Sequence, residues 1–312
     1  MKDSISVLLE KYQIRKTKAQ KQAFADWLGG HLSERGYRST EDKYSDSGKN
    51  LIVGNVESAE VIITAHYDTP PNFFIPVLMG FSSWFSLLIS QLILAVPMIL
   101  LFVPYIICEI FLDYTLVHSL IKLLSIFPAF LFTLQMLCGI ANKHNANDNT
   151  SGAAVLISVL EDLPPEARSK VCAVFFDQEE LGLVGSGRFS KKYKQAMKNK
   201  PLINFDCVSD GDNFIFVMKK KFAQSEYSAA LTKAAEQSVA GTNKTAHPAP
   251  ALTHLYMSDQ LHFPHGVGVV AAKKAPVFGY YINRIHSALD TKFDNRNIEL
   301  LSETMINFIR GL

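Results

Sequence analysis

The stretch VFFDQEELGLVGS, Val174 to Ser186, decides how the fold is read. Its first residues continue an apolar run that begins at Val171, short, β-branched and aromatic, as suits a strand buried on both faces. Asp177, Glu179 and Glu180 follow at once, and Gly182 and Gly185 punctuate the turn behind them. In layered α/β sheets, ligands meet the chain at strand ends. Carboxylates at such a place are expected to serve a site.

Outward from this strand, the chain alternates. Residues 17–36 carry apolar positions at helical spacing, and 49–56 and 61–67 read as strands bounded by Gly and polar turns. Residues 150–163 read as a helix stopped by Pro164 and Pro165, 202–205 and 214–218 as short strands, and 223–240 as an Ala-rich helix ending at Gly241. Strands over 266–272 and 279–282 and an amphipathic helix over 295–309 complete the pattern. The alternation predicts an α/β fold with helices on both faces of a sheet.

The 312 residues carry a formal net charge of only +2, which gives no argument for nucleic acid as a partner. The four cysteines form no CxxC pair, so reduced thiols are expected in place of a disulfide framework or a thiolate zinc site. The N-terminal apolar run is broken by Glu10 and Lys11, which argues against a secretory signal peptide. Charge is unevenly spread: between Phe73 and Ile140 only Glu109, Asp113 and Lys122 are charged. Residues 69–108 and 123–142 contain no Asp, Glu, Lys or Arg, and crossing a bilayer takes about 20 helical residues. A soluble core would have to wrap helices apolar on every face. Residues 73–139 are therefore expected to insert into a membrane as a helical hairpin, with helices at about 75–106 and 114–138 perturbed by Pro97, Pro104 and Pro128. The rest, 1–72 and 140–312, forms one discontinuous domain.

Five distant segments each deliver a carboxylate or imidazole near a strand end or helix start: VIITAHYDTP, HNANDNTSG, VFFDQEE, PLINFDCVSD and YYINRIHSALDT. Singly, each has an ordinary explanation, such as a helix cap or a solvated loop. Together, His, Asp and Glu without sulfur suit a hydrolytic zinc site. Through HYDT, NDNTSG, EELGLVGS, FDCVSD, SDQLHF and HSALDT, in this order, the chain resembles the M28 zinc peptidases, co-catalytic aminopeptidases.

The resemblance implies a three-layer αβα sandwich with a central mixed sheet and two Zn²⁺ per chain. One zinc would be held by His66, Asp148 and Asp206, the other by Asp148, Glu180 and His286, with Asp148 shared. Glu179 would be the general base and Asp68 the group that orients His66; in a strand those two point to the same face. The implied substrates are peptides. Where the family often has a His, this chain has Gln260, and His254, His262 and His265 are candidate pocket residues beside it. FFDQEE is also similar to the glutaminyl cyclases, which share the fold and bind one zinc; a non-catalytic scaffold is the third alternative. Because His66 and Asp148 flank the insertion and must meet, both its ends lie on one side of any membrane. The expectation is two crossings, with the catalytic domain in the cytoplasm.

Overall fold

The structure, a computed structural model, describes residues 1–73, 75–111 and 116–312. Among them ten strands join one sheet: β1 (Ser39–Lys43), β2 (Lys49–Val53), β3 (Val61–His66), β4 (Val77–Gly80), β5 (Val171–Phe176), β6 (Leu202–Phe205), β7 (Asn213–Met218), β8 (Thr245–Pro250), β9 (Gly266–Ala275) and β10 (Gly279–Ile285). The order runs β1-β2-β5-β3-β6-β9, and β9 then pairs with β7 along its first part and with β10 at its end. β8 lies beside β7, and β4 beside β10. β3, β5, β6 and β9 run parallel, β1, β2 and β10 meet their neighbours antiparallel, and β7 is antiparallel to β9 but parallel to β8, so the sheet is mixed.

The helices are α1 (Asp3–Lys11), α2 (Lys18–Ser33), α3 (Trp84–Phe111), α4 (Leu116–Cys138), α5 (Gly152–Asp162), α6 (Val184–Lys192), α7 (Lys220–Ala223), α8 (Glu226–Val239) and α9 (Asn295–Arg310). On one face of the sheet, Val171, Ala173 and Phe175 pack with side chains of α1, α2, α5, α8 and α9. On the other, Cys172, Val174 and Phe176 meet Phe189 of α6 and Phe263. Burial on both faces explains why β5 shows no alternation; each fully buried Val or Phe contributes roughly 1.5–3 kcal/mol. The surface helices obey the complementary rule: α9 buries Ile298, Leu301, Met305 and Phe308 at spacings of three and four. The Thr17 hydroxyl accepts the Gln20 N–H while the Gln20 side chain accepts the Thr17 N–H, a reciprocal cap that starts α2.

Gly152 opens α5 where it passes β6. A Cβ there would lie 2.3 Å from the Phe205 carbonyl oxygen. Gly152→Ala is expected to cost at least about 2 kcal/mol in chemical denaturation, because backbone rather than a flexible side chain must yield.

The two ends of the long apolar stretch are stitched together. Pro71 bridges Ala141, the Asn72 N–H donates to the Ile140 carbonyl at 2.9 Å, and the Asn142 N–H donates to that of Pro70 at 3.0 Å. The helix expected from Ile75 is not what forms: Val77–Gly80 is a strand on the free edge of β10, with Met79 opposite Ile282. Its ladder with β10 satisfies backbone groups that an apolar run in the body of the protein must pair somewhere. α3 starts at Trp84, where the Ser83 hydroxyl accepts the Ser86 N–H, and it continues through Pro97 and Pro104. The first helix, expected to end near 106 ahead of a short polar turn holding Glu109 and Asp113, instead runs on as α3 to Phe111 with Glu109 inside it. Asp113 and the expected helix start at Tyr114 lie outside the described residues, and α4 is described from Leu116 and contains Pro128. Both helices carry exposed apolar side chains, among them Phe85, Leu100, Phe111, Leu116 and Leu124. Among the described residues one helix, α4 over Leu116–Gln135, is long and apolar enough to cross a membrane.

Candidate metal centre

β3 ends on His66, and its parallel neighbours β5 and β6 end beside it, so the loops leaving three strands converge. His66 Nε2 lies 3.2 Å from Asp148 Oδ1 and 3.7 Å from Asp206 Oδ1. On the other side of Asp148, its Oδ2 is 3.0 Å from His286 Nε2, which is 3.4 Å from Glu180 Oε2. His66, Asp148 and Asp206 thus form one group of potential ligand atoms, Asp148, Glu180 and His286 a second, and His66, Glu179 and Glu180 a third.

The NDNTSG segment works by alternation. Asn147 accepts the N–H groups of Ser209 and Asp210, Asn149 donates to the Phe205 carbonyl at 2.8 Å, and the Ser151 hydroxyl accepts the Val208 N–H. These polar side chains bind the segment leaving β6 and so hold Asp148 against Asp206. Asp68 plays a matching part across the cluster: its two oxygens accept the N–H groups of Glu179 and Glu180 at 3.0 and 3.2 Å, and Oδ1 lies 3.4 Å from His66 Nδ1. It braces the Glu179–Glu180 turn as well as facing His66. His286 adopts φ +55, a left-handed conformation uncommon for a side chain of its kind and frequent at functional sites.

Two positioning residues escaped the sequence reading. Asp290 accepts the Asn147 N–H at 2.9 Å and the Asp148 N–H at 3.0 Å. Arg15, fully buried, donates to the Tyr67 and Tyr12 carbonyls and to the Thr150 hydroxyl, joining the strand that carries His66 to the loop that carries Asp148. Asp290 sits inside the HSALDT stretch, where its spacing from His286 was the one available signal; Arg15 had none. Asp290→Asn replaces one acceptor oxygen by a second donor facing an N–H. It is expected to cost about 1–3 kcal/mol of stability and to loosen metal binding about 10–100-fold, read by denaturation and chelator competition.

The other candidates fall elsewhere. Asp177 accepts the Lys21 ammonium and the N–H groups of Lys49 and Gln178, a structural tie. Gln260 is buried and turned inward, donating to the Tyr256 carbonyl and accepting from Asn204. His254 lines a small cavity with Trp84, His262 stands beside Gly187, and His265 offers its backbone carbonyl to Leu202, all apart from the cavity over the cluster. Cys108, Cys172 and Cys207 are free thiols.

The cluster is strongly acidic. Burial first, then repulsion from neighbouring carboxylates, raises Glu179 and Glu180 well above the usual range. Burial and the charges of Asp68 and Asp206 push Asp259, enclosed behind them, up to about 7. Burial opposes a charge on Asp148 too, yet His286 and His66 hold its carboxyl low. Buried carboxylates of one sign around a shared point need a cation, and Glu180 Oε1 and Asp206 Oδ1 are buried with no hydrogen-bond partner. Those orphaned oxygens, with imidazole nitrogens and no sulfur, fit zinc. Above the cluster opens a cavity of about 240 Å³, walled beyond the carboxylates by apolar side chains.

A mixed sheet whose strand ends assemble imidazoles and carboxylates ready for a metal defines a hydrolase-like α/β protein. Residues 135–309 match the model of peptidase family M28, more than half of the chain, and the chain belongs to that family, whose enzymes are zinc-dependent. No curated protein matches it in sequence. Among solved structures it is similar to a glutaminyl cyclase of Bacteroides thetaiotaomicron bound to N-acetylhistamine, at TM-score 0.57 and 15% identity, covering 99% of this chain and 95% of that one. A glutaminyl cyclase of Tannerella forsythia gives TM-score 0.55 and 15% identity over 99% and 98%. LapA of Legionella pneumophila gives 0.53 and 12% over 98% and 70%. At these identities the likeness establishes the fold: a central mixed sheet in an α/β body.

Proposed function

We propose that this protein is a zinc-dependent aminopeptidase that would take two zinc ions per chain, with Asp148 serving both ligand groups. The observation that carries the reading is the placement of Asp148, one oxygen toward His66 and the other toward His286, which makes two ligand groups out of one shared carboxylate. His66, Asp148 and Asp206 would hold one ion, and Asp148, Glu180 and His286 the other. Zinc there would supply Lewis acidity toward the scissile carbonyl and lower the pKa of water. Glu179 takes the proton of the attacking water and returns it to the leaving amine, a role suited to a carboxylate whose proton affinity burial has raised. Asp68 keeps Glu179 and Glu180 in place through their N–H groups.

The second reading is a glutaminyl-peptide cyclotransferase, favoured by the fold likeness to two glutaminyl cyclases. A panel of amino-acid aminocoumarin amides, dipeptides and N-terminal glutaminyl peptides separates them. The aminopeptidase releases free amino acids, loses that activity with chelator and regains it with zinc; cyclisation of glutaminyl peptides alone would replace this reading. Inactivity of the zinc-loaded protein on every substrate would favour a scaffold.

In this proposal residues 73–139 contribute a two-crossing membrane anchor through α3 and α4, and the domain formed by 1–72 and 140–312 stays on the cytoplasmic side. The exposed apolar side chains of both helices and the stitched ends of the insertion support it. The full chain is expected in the membrane pellet after high-salt and alkaline washes, released only by detergent. Recovery in the wash supernatant would remove the anchor from the proposal, and protease accessibility in sealed vesicles tests the side.

A further inference from the structure

The insertion does not merely hang from the catalytic body. The Gly80 N–H of β4 donates to the Ser90 hydroxyl at 2.7 Å, and that hydroxyl donates to the Ser86 carbonyl. Ser86 and Ser90 are almost wholly buried, and the Leu255 N–H donates to the Phe81 carbonyl at 2.8 Å, fixing the start of α3 on the body. Ser86, Ser90 and Leu94 follow one another four residues apart, so they occupy one stripe of α3. The first two positions of that stripe are anchored, and the third reaches the cavity over the metal cluster.

There Leu94 joins Phe73, Met257, Val77 and Met79 of β4, and Ile282 and Ile285 of β10 as the apolar lining beside Glu179, Glu180 and the histidines. The opposite side of α3 carries Leu88 and Leu92, exposed and away from the cavity. One element thus presents apolar side chains outward and Leu94 toward the metal cluster.

We infer that α3 is a specificity element: Leu94, with Val77 and Met79, forms the subsite for a large apolar side chain on the substrate's N-terminal residue. This rests on the aminopeptidase reading. A chain whose first residue is Leu, Met or Phe sets its α-amine and scissile carbonyl at the carboxylate end and its side chain against the wall. An N-terminal Ala leaves the wall uncovered, and a Gln buries an amide against groups that cannot pair with it.

The test uses the full chain in detergent with zinc, assayed on Leu-, Phe-, Ala- and Gln-aminocoumarin amides. Leu94→Ala is expected to lower kcat/KM for the Leu and Phe substrates about tenfold and to leave that for Ala within about twofold. Leu94→Phe, which narrows the cavity, should shift preference toward Ala. Leu88→Ala, on the outer side of the same helix, should change neither. Binding of free L-leucine and L-alanine, followed by calorimetry, supplies a readout independent of turnover: leucine should bind the wild type and weaken in Leu94→Ala. Unaltered Leu/Ala ratios in both Leu94 variants, with turnover intact, overturn the subsite alone. Absent hydrolysis with Leu94-dependent leucine binding overturns the aminopeptidase reading and keeps the subsite; no leucine binding and no hydrolysis overturn both.

Discussion

Glu179→Gln is expected to leave zinc content unchanged and to lower turnover by about 10²–10⁴-fold. The amide keeps the size of the carboxyl, and its backbone N–H still donates to Asp68, so the turn that also places Glu180 persists. What disappears is the group that can accept a proton from water and hand it on. Metal analysis of the purified variant beside a steady-state assay checks both halves, and turnover near the wild-type level would remove Glu179 from the mechanism. Thermal unfolding should be little changed or raised, since the substitution removes one of several mutually repelling buried carboxylates.

Asp148→Asn should act in the opposite order, losing metal first and activity as a consequence. Asp148 lies 3.2 Å from His66 and 3.0 Å from His286, so one substitution weakens both ligand groups together. The fall in zinc affinity should exceed the roughly 10–100-fold that follows loss of an outer partner. By contrast, Asp206→Asn touches the His66 group alone and His286→Ala the other, and each should leave part of the metal bound. Equal loss from all three would point to a single ion held jointly. Zinc titration with a competing chromophoric chelator reads these cases apart.

Much of this was open to reading from the chain. β5 and β6 announced themselves as short apolar runs ahead of acids, and NDNTSG stood out as one of the motifs that carry the family resemblance. Other elements were hidden for identifiable reasons. β8, THE strand TAHPAP, carries Pro248 and Pro250, which argue against a central strand; the structure places it at the edge, beside β7 alone. β1 is mostly exposed and polar, so no apolar pattern betrayed it. β4 was lost inside a long oily stretch, where periodicity cannot tell strand from helix and the deciding partner, β10, lies some 200 residues away. Arg15 reaches the Tyr67 carbonyl and the Thr150 hydroxyl, and Asp290 the Asn147 and Asp148 N–H groups, all distant in sequence, so only the assembled fold brings these partners together. The clustered imidazoles and carboxylates were legible because they stand out by residue type; the groups that hold them in place depend on where the backbone happens to pass.

The stitched ends of the insertion carry a consequence for the chain as a connected path. Pro71 and Ala141 are neighbours, so the span between them is a closed excursion whose removal leaves two termini already together. Joining them demands a loop of only a few residues, and closure entropy for so short a span is small. The span thus leaves and returns at one point, so taking it out rethreads no strand of the central sheet and removes only β4 from its margin.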